Sequence, residues 1–175
     1  MEISTAAGLF NHPGFTISEK MNWSDLGCGT GTFTLALASI LPKGGVIYAM
    51  DINDQALQKI PDRFGNATIK KLKGNFVTDD LPFSDLDGIL MANSLHYVKD
   101  KPVFLQKVIP HLNNQGCILL VEYDTDLPNN WVPYPQSFST LKKLFTPFDF
   151  SAVHKLNEQP SVFKRAMMYS AIIER

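Results

Sequence analysis

The feature of this sequence that most constrains its fold is the stretch WSDLGCGTGTFTLALA, which occupies residues 23–38. A short apolar run leads into three alternate glycines, Gly27, Gly29 and Gly31, and a helical pattern of apolar residues follows them. Glycine has no Cβ and readily adopts positive φ, so this spacing lets a ligand approach the main chain closely. A plain tight turn that binds nothing is the alternative interpretation of the glycines alone.

The apolar runs that follow alternate with helical patterns along the chain. Strands two, four and five are almost wholly apolar, which is typical of strands covered by helices on both faces. A short connection near the C-terminus predicts two last strands that pair antiparallel at the edge of the sheet. We therefore predict an α/β fold with a doubly wound, mostly parallel seven-stranded sheet and a C-terminal antiparallel hairpin. The strands after the first are predicted at residues 46–51, 67–72, 87–92, 117–123, 150–156 and 165–174; helices are predicted at 32–41, from Asn53 or Asp54 towards 61, and from Asp100.

Length and composition narrow the class of protein. At 175 residues the chain is most simply one domain, with a short N-terminal flap (1–20), a cofactor-binding core (21–123) and a loop, helix and hairpin (124–175). The net charge of −1, without a basic run, does not indicate a nucleic-acid partner. No apolar segment approaches ~18 residues, so no membrane partner is expected, and the first residues do not resemble a signal peptide. We expect a cytoplasmic enzyme or binding domain in which Cys28 and Cys117 are free thiols.

Two acids beside the glycine loop indicate the kind of ligand. Asp51 ends the second strand, where an acid can accept both hydroxyls of a ribose. A dinucleotide-binding loop would have its third glycine at position 32, but the sequence has Thr32 there and Gly31 one residue earlier. Asp25, two residues before the first glycine, is placed to pair with a positively charged group such as an ammonium. The pattern therefore favours an adenosine-type ligand with an amino group over a nicotinamide dinucleotide.

The segment DLGCGTG and the following strand that ends in Asp51 resemble motif I and its acidic partner in class I S-adenosylmethionine-dependent methyltransferases. GNFVTDDLPF, DGILMANSLHYVKD, LNNQGCILLVEYD and the final hairpin are similar to further segments of that family, so the resemblance covers most of the chain. It implies that S-adenosylmethionine is the cofactor and S-adenosylhomocysteine the product. It also implies the cofactor-binding residues: Asp25, Gly27, Cys28, Gly29, Gly31 and Asn93 around the methionine part, Asp51 at the ribose, and Ile52, Asn75 and Phe76 at the adenine.

The sequence departs from the family's pattern at two places. Asn75 stands where the family commonly has an aspartate that accepts from the adenine amino group, and its amide oxygen can still accept without charge. The Phe76 amide N–H can serve a ring nitrogen. Residues 93–96 read Asn-Ser-Leu-His instead of the family tetrad that methylates amino groups of adenine or glutamine, so that reaction is not indicated.

Three side chains near the ends of strands four and five are candidates for a general base, and none is assigned as catalytic. A base is needed only if the methyl acceptor arrives protonated. His96 is suited by its ordinary pKa, although it can equally form part of the cofactor wall. Glu122 and Asp124 flank a tyrosine and can contact the substrate, or they can be solvated or bind main-chain amides.

Aromatic residues beyond the same strand ends are candidates for contact with the acceptor. Tyr97 and Tyr123 lie beside the candidate bases, and Trp131 and Tyr134 lie in the proline-rich segment DLPNNWVPYPQSF. This segment can form a wall of an acceptor pocket or simply pack on the sheet edge. No acidic or histidine cluster has the spacing of a metal site, so no metal is expected.

The segment before the first strand is short, and two alternatives remain for what covers the crevice. The family usually has one or two helices there, so residues 10–15 would form a short flap, or a second copy in a homodimer would complete the site. Three functions are considered: methyl transfer to a small-molecule acceptor, cofactor binding without turnover, and an NAD(P)-dependent oxidoreductase. The first is favoured by the resemblance, and the last is disfavoured by Thr32 and the closing hairpin.

Overall fold

The central element of the fold is one mixed β-sheet, which the computed structural model describes within residues 1–11, 21–161 and 167–175. Within these ranges its eight strands are β1 (Asn22–Leu26), β2 (Val46–Asp51), β3 (Arg63–Phe64), β4 (Ala67–Lys73), β5 (Leu86–Ala92), β6 (Leu112–Tyr123), β7 (Ala152–Pro160) and β8 (Met167–Glu174). Their order across the sheet is β3-β4-β2-β1-β5-β6-β8-β7. The five strands from β4 to β6 in this order are parallel, and β3, β8 and β7 pair antiparallel with their neighbours.

The predicted fold class is confirmed, with one strand more than the seven expected. The additional strand, β3, is two residues long and pairs Arg63 with Thr68 and Phe64 with Ala67 of β4. The turn between the two strands contains Gly65 at φ +56°. A two-residue strand shows no hydrophobic periodicity, so the sequence pattern could not reveal it.

The strand bounds differ from the prediction mainly where the sequence is polar. β6 begins at Leu112, five residues before the predicted start at residue 117. The added residues are mostly polar, and the pairing of β6 with β5 shifts in register between this polar part and the apolar part. In the C-terminal hairpin β7 extends to Pro160. Residues 165 and 166 of the predicted last strand lie outside the described residues.

Two of the helices that connect parallel strands begin at the caps that the sequence predicts. The described helices are α1 (Ile3–Gly8), α2 (Thr32–Ile40), α3 (Asp54–Leu57), α4 (Lys101–Val108) and α5 (Phe138–Phe145), with single 3-10 turns at Leu95–Tyr97 and Ile109–His111. Asn53 Oδ1 caps α3 by accepting from the Ala56 N–H, and Asp100 Oδ1 caps α4 by accepting from the Val103 N–H. Each cap satisfies a main-chain donor that has no partner inside its helix. None of the helices in the described part of the chain is long and apolar enough to cross a membrane.

The hydrophobic core lies on both faces of the sheet. One layer packs α1 and α2 against Trp23 and Ile47, and the other packs α4 and α5 against Leu26 and Ile89. Trp23 and Leu26 of β1 face opposite layers because side chains alternate along a strand. This two-sided burial explains why the parallel strands are almost continuously apolar.

The N-terminal segment contributes to this core. α1 packs on α2, and Phe10 is buried with its ring centroid 6.1 Å from that of Phe33 on α2. Phe10, the first residue of the predicted flap, is therefore a core residue. Residues 12–15 of that flap lie outside the described residues.

The site follows from the strand order. β1 has β2 on one side and β5 on the other, so the chain order along the sheet reverses at β1. In open α/β sheets the crevice outside the carboxyl ends of the strands at such a reversal is the usual ligand site. The glycine loop leaves β1 at this point.

Candidate cofactor and acceptor site

In the glycine loop after β1, two of the glycines are packed against neighbouring side chains and the third borders an open space. Gly27, Gly29 and Gly31 all adopt positive φ, at 81°, 53° and 87°. A Cβ on Gly27 would lie 2.6 Å from the Ser94 Cβ, and a Cβ on Gly31 would lie 2.7 Å from Ile60. A Cβ on Gly29 would meet no described atom within 4 Å. Gly27 and Gly31 are therefore required by the protein's own packing, and at Gly29 the position of a Cβ is open to a ligand.

Asp51 at the end of β2 directs its carboxylate into this loop. Its Oδ2 accepts from the Gly29 N–H at 2.8 Å, and its Oδ1 accepts from the Asn53 N–H at 2.8 Å. Each carboxylate oxygen can accept more than one hydrogen bond, so both can still accept from ribose hydroxyls. The side chain of the next residue, Ile52, is 66% exposed and is free to contact one face of a base.

Asp25 near the end of β1 is a buried carboxyl group that lacks half of its partners. Its side chain is 1% exposed, and Oδ2 accepts from the Thr34 hydroxyl at 2.6 Å. Oδ1 is buried and has no hydrogen-bond partner among the described residues. Burial raises the pKa of Asp25 to about 7, the Thr34 hydrogen bond opposes the rise, and the nearby charge of Asp51 adds to it. A group that donates a hydrogen bond and carries positive charge would satisfy this oxygen.

Asn93 supplies a second buried oxygen without a partner. It follows β5 with φ +54°. Residues other than glycine adopt this backbone conformation at a cost of about 1–3 kcal/mol, and only where the surrounding structure holds them in it. Its N–H donates to the Val121 carbonyl at 2.8 Å, which anchors the turn to β6. Its Oδ1 is buried, and no described residue donates to it.

Cys28 lies between the first two glycines and is a free, buried thiol, as is Cys117. Burial raises the pKa of the Cys28 thiol far above its usual range, and the neighbouring Asp25 and Asp51 raise it further. The thiol therefore stays protonated at neutral pH and is unsuited to act as a nucleophile.

The loop after β4 contains the two residues expected at the adenine. Asn75 Oδ1 accepts from the Val77 N–H at 3.0 Å, so the oxygen predicted to bind adenine also stabilises a local turn. The Phe76 N–H donates to no described residue, which leaves it available to a ligand. The Phe76 ring is buried edge-on against Phe104, with centroids 5.7 Å apart.

Lys107 on α4 holds this loop in place, a role that the sequence did not reveal. Its ammonium donates to the main-chain carbonyls of Phe76 and Val77, at 3.2 Å and 3.1 Å, and to that of Asp79. Only its position in the last turn of α4 could have been known from sequence, and that gives no indication of a partner about thirty residues earlier. Thr34, the partner of Asp25, was missed for the same reason.

These observations test whether the residues present fit S-adenosylmethionine, the cofactor that the resemblance implies. Four buried side-chain oxygens have no partner among the described residues, in Ser24, Asp25, Asn93 and Ser161, and those of Asp25 and Asn93 lie at the carboxyl ends of the neighbouring strands β1 and β5. The ammonium of the methionine part is a donor of the kind that these oxygens lack. The position of a Gly29 Cβ is open, the Gly29 N–H donates to Asp51, and Asp51 is close enough to Asp25 to raise its pKa. The residues therefore fit the cofactor.

A buried histidine–glutamate pair lies next to this group of residues. His96 belongs to the 3-10 turn after β5, and its Nδ1 lies 2.7 Å from Oε2 of Glu122 on β6. The His96 main-chain N–H also donates to Oε1 of Glu122, at 3.2 Å. Both side chains are almost fully buried. The structure thus brings two of the three candidate bases into one hydrogen-bonded pair.

Asp124, the third candidate base, is occupied by contacts within the protein. Its Oδ1 accepts from the Phe138 N–H at the start of α5, at 2.9 Å, and its Oδ2 pairs with the Lys155 ammonium at 3.3 Å. It therefore binds a main-chain amide, which was one of the two alternatives left open by the sequence. Within the ranges that the structure describes, no group of three His, Cys, Asp or Glu side chains is arranged to hold a metal ion.

Three of the four aromatic residues expected at the acceptor gather around His96. The rings of Tyr97 and Tyr123 lie 4.4 Å and 6.1 Å from the His96 ring, centroid to centroid. The Tyr134 N–H donates to the His96 carbonyl at 3.0 Å. Trp131 is 78% exposed and makes no ring contact with these residues.

Lys101 holds the Tyr134 segment against the 3-10 turn and was not expected from the sequence. The residue is buried, and its ammonium donates to the carbonyls of Val98 and Tyr134, at 3.2 Å and 2.7 Å. Burial lowers the pKa of Lys101, while the nearby Glu122 carboxylate opposes that change. The ammonium is therefore a buried positive charge close to the His96–Glu122 pair.

The fold and this site define a class of protein: a doubly wound α/β protein with a site for an adenosine-bearing cation. A family model described as "Methyltransferase domain" matches residues 24–118, more than half of the chain. The chain belongs to this family. The expected class, a class I S-adenosylmethionine-dependent methyltransferase with S-adenosylmethionine as its cofactor, is thereby confirmed.

The curated relatives share part of their length with this chain. An uncharacterized methyltransferase of Mycobacterium tuberculosis is 29% identical over 101 residues, which are 58% of this chain and 50% of that protein. The ubiquinone/menaquinone biosynthesis C-methyltransferase of Wigglesworthia glossinidia brevipalpis is 25% identical over 138 residues, 75% of this chain and 50% of that protein. The chain thus spans about half the length of the curated relatives it matches.

Solved structures share the fold over nearly the whole chain. An S-adenosylmethionine-dependent methyltransferase from Mesorhizobium loti has a TM-score of 0.71 at 15% identity, covering 99% of this chain and 100% of that chain. The plantazolicin methyltransferase BpumL in complex with S-adenosylhomocysteine has a TM-score of 0.66 at 13% identity, covering 99% and 82%. At these identities the likeness shows the fold alone.

Proposed function

We propose that this chain transfers the methyl group of S-adenosylmethionine to a small-molecule acceptor. The observation that carries the proposal is the pair of buried oxygens without partners, Asp25 Oδ1 and Asn93 Oδ1, beside the open space at Gly29. Leaving such atoms unpaired costs about 1–3 kcal/mol each, so they indicate a missing polar ligand. The family assignment decides against the oxidoreductase alternative.

Different residues of the crevice bind different parts of the cofactor. Asp25 and Asn93 bind the ammonium of the methionine part, and Asp51 accepts from the ribose hydroxyls. Ile52 covers one face of the adenine, and the Phe76 N–H donates to one of its ring nitrogens. When bound, S-adenosylmethionine supplies a methyl group activated by a positively charged sulfur.

The protein's contribution to methyl transfer is alignment and the exclusion of water, which account for much of the acceleration of a displacement reaction. The turn that follows Asn93 brings Tyr97 beside the cofactor-binding residues, and β6 brings Tyr123 to the same edge. Together with Tyr134 these side chains offer aromatic surface to a small acceptor. Lys101 holds the Tyr134 segment against the 3-10 turn, so the turn and this segment are fixed relative to each other beside the aromatic side chains.

Three further predictions belong to this proposal and rest on the sequence. Residues 1–175 act as one domain, with the flap, core and C-terminal part assigned above. The chain works in the cytoplasm. A second copy in a homodimer covers the crevice if the N-terminal segment does not.

The first test is binding and turnover. Calorimetry should show that S-adenosylhomocysteine binds and that NADH does not. Asp51→Ala should weaken S-adenosylhomocysteine by about 2–3 kcal/mol, because the ribose hydroxyls lose a charged acceptor. Asp62→Ala is the matched control: the Asp62 carboxylate is exposed and pairs with Lys71 alone among the described residues, so its loss should leave the affinity unchanged.

The outcomes separate the alternatives. Equal affinity in wild type and Asp51→Ala would mean that the ribose lies elsewhere. Release of S-adenosylhomocysteine from S-adenosylmethionine, with mass-spectrometric detection of a methylated product across phenols, alcohols, amines and thiols, would demonstrate transfer. Tight binding with no product in any of these classes would favour a cofactor-binding module without turnover.

A further inference from the structure

The His96–Glu122 pair has the geometry of an oriented base. Both carboxylate oxygens of Glu122 contact His96: Oε1 accepts from its main-chain N–H, and Oε2 lies next to Nδ1 of its ring. A carboxylate next to Nδ1 favours the tautomer in which Nδ1 carries the hydrogen, because the carboxylate can only accept. Nε2 then has a free lone pair. The pair thus fixes both the orientation of the imidazole and the atom that can take a proton.

Nε2 is available to a ligand. No described residue forms a hydrogen bond with it. The His96 side chain is 3% exposed and Nε2 is not among the fully buried polar atoms without partners, so a narrow part of this edge of the ring is accessible. The opposite edge is sealed by Glu122. A small molecule in the crevice is therefore the natural partner of Nε2.

The pair lies next to the residues that bind the cofactor. Ser94, two residues before His96, contacts the glycine loop so closely that a Cβ on Gly27 would lie 2.6 Å from its own Cβ. On the neighbouring strand, Val121 accepts from the Asn93 N–H, and Glu122 is the next residue. His96 therefore stands at the methionine end of the site, where the methyl group is expected.

The surroundings of the pair indicate the kind of acceptor. The rings of Tyr97 and Tyr123 flank the imidazole, and flat aromatic walls favour a flat aromatic ligand. Among the described residues, the charged or titratable groups around the pair are these two tyrosines, the Lys101 ammonium and Tyr169, which lies beside Glu122 on the neighbouring strand β8. The charges of Lys101 and Glu122 oppose each other, so the surroundings carry no net charge that would favour an ionic acceptor. A neutral ring remains the best match.

We propose that His96, oriented by Glu122, is the general base of this chain and that the acceptor is an aromatic ring with a hydroxyl group, methylated on oxygen. The inference rests on the proposed function. A phenolic hydroxyl has a pKa of about 10 and is protonated at neutral pH, so it needs a base, whereas an acceptor that arrives deprotonated does not.

The step balances as follows. The Nε2 lone pair takes the hydroxyl proton, and the electrons of the O–H bond stay on oxygen. The oxygen forms a bond to the methyl carbon while the carbon–sulfur bond breaks, and that bond's electron pair returns to sulfur, giving S-adenosylhomocysteine. The positive charge now on the imidazole is paired by Glu122 until the proton passes to solvent.

The first experiment uses the full chain, S-adenosylmethionine and a panel of catechol, 4-hydroxybenzoate and 1-naphthol, with aliphatic alcohols, amines and thiols as the other arms. An O-methylated ring product is expected, and His96→Gln should lower kcat about 10²–10⁴-fold, the range for general base catalysis. The affinity for S-adenosylhomocysteine should stay within about twofold. His154→Gln, on the exposed edge of β7, is the matched control and should keep full activity.

The main readout of the second experiment needs neither turnover nor a variant. Nitrogen-15 spectra of the histidine rings in the wild-type complex with S-adenosylhomocysteine should show His96 protonated on Nδ1 and unprotonated on Nε2. Glu122→Gln should remove the preference for this tautomer.

The proposal is overturned by a hydrogen on Nε2 in the wild-type complex, by His96→Gln activity within about threefold of wild type, or by methylation of amines, thiols or aliphatic alcohols only. It is also overturned if no ring hydroxyl is methylated while S-adenosylhomocysteine binds. Failure to bind S-adenosylhomocysteine at all refutes the proposed function itself, so the two failures are distinguishable.

Discussion

Replacing Asp25 by asparagine should make the ligand-free protein more stable at alkaline pH while it weakens cofactor binding. Asp25 is buried, its pKa is raised from 3.8 to about 7, and one of its oxygens has no described partner. Between these two pKa values the folded state holds a proton that the unfolded state has lost. The stabilisation by this proton is complete below about pH 4 and is lost as the pH rises through about 7.

The magnitude follows from the size of that shift. A rise of about three pKa units corresponds to about 4 kcal/mol lost by pH 8. Asparagine does not titrate and can still accept from the Thr34 hydroxyl, which recovers this loss. Its NH₂ group takes the place of the unpartnered oxygen, and a buried donor without a partner costs about 1–3 kcal/mol. The net stabilisation at pH 8 should therefore be about 1–3 kcal/mol, with none at pH 4.

Thermal unfolding of the ligand-free protein measures this effect. For a chain of this size each kcal/mol shifts the midpoint by about 2–4 °C, so Asp25→Asn should melt about 6 °C higher than wild type at pH 8. Calorimetry should show S-adenosylhomocysteine binding weakened at least about 30-fold, because its ammonium loses a charged acceptor. Wild-type affinity should fall as the pH drops below about 7, because protonated Asp25 cannot pair with a cation.

The matched control is Asp87→Asn. Asp87 accepts from the Asn22 N–H with one oxygen and from the Asn113 amide with the other, so its replacement should destabilise the protein. It lies at the start of β5, away from the crevice, and its variant should bind S-adenosylhomocysteine normally once folded. The reasoning about Asp25 fails if Asp25→Asn melts lower than wild type at pH 8 or binds S-adenosylhomocysteine as tightly.

Two further variants test the glycine loop and the adenine loop. Gly29→Val should be destabilised by about 1–3 kcal/mol, because valine is strained at the positive φ of this position. Its Cβ meets no described atom within 4 Å, so the variant should still fold but lose S-adenosylhomocysteine binding in calorimetry, because the side chain fills the ligand space; a folded variant that still binds would place the ligand elsewhere. Lys107→Met should weaken S-adenosylhomocysteine and adenosine alike, by about 10-fold, because the loop at Phe76 loses the ammonium that holds three carbonyls. The control Lys143→Met, in the last turn of α5, should change neither affinity, and a loss confined to S-adenosylhomocysteine would contradict the adenine assignment.

Several expectations held because they depend on local patterns. The apolar runs of β2 and β5 predicted buried parallel strands, and both occur close to the predicted bounds. Asn53 and Asp100 act as helix caps as expected, because a cap needs only residues three positions away. The two-residue strand β3 escaped prediction because so short a segment has no period.

The functions of single side chains were harder to predict. Asp124 looked like a candidate base, but it is held by the Phe138 N–H and the Lys155 ammonium, which come from α5 and β7. Phe10 looked like the start of a flap, but its side chain is part of the core. These partners are distant along the chain, so no spacing in the sequence reveals them.

The sequence by itself determined the class of fold, the position of the ligand crevice and the family, because periodicity, caps and the glycine loop with Asp51 are short-range signals. Only the tertiary structure decided which glycine borders open space, that Asp25 and Asn93 each keep an oxygen without a partner, and that His96 is paired with Glu122. The physical reason is that burial and hydrogen bonding depend on which strands lie side by side. The parallel pairing of β1 with β5 and of β5 with β6 brings these distant residues to one edge of the sheet.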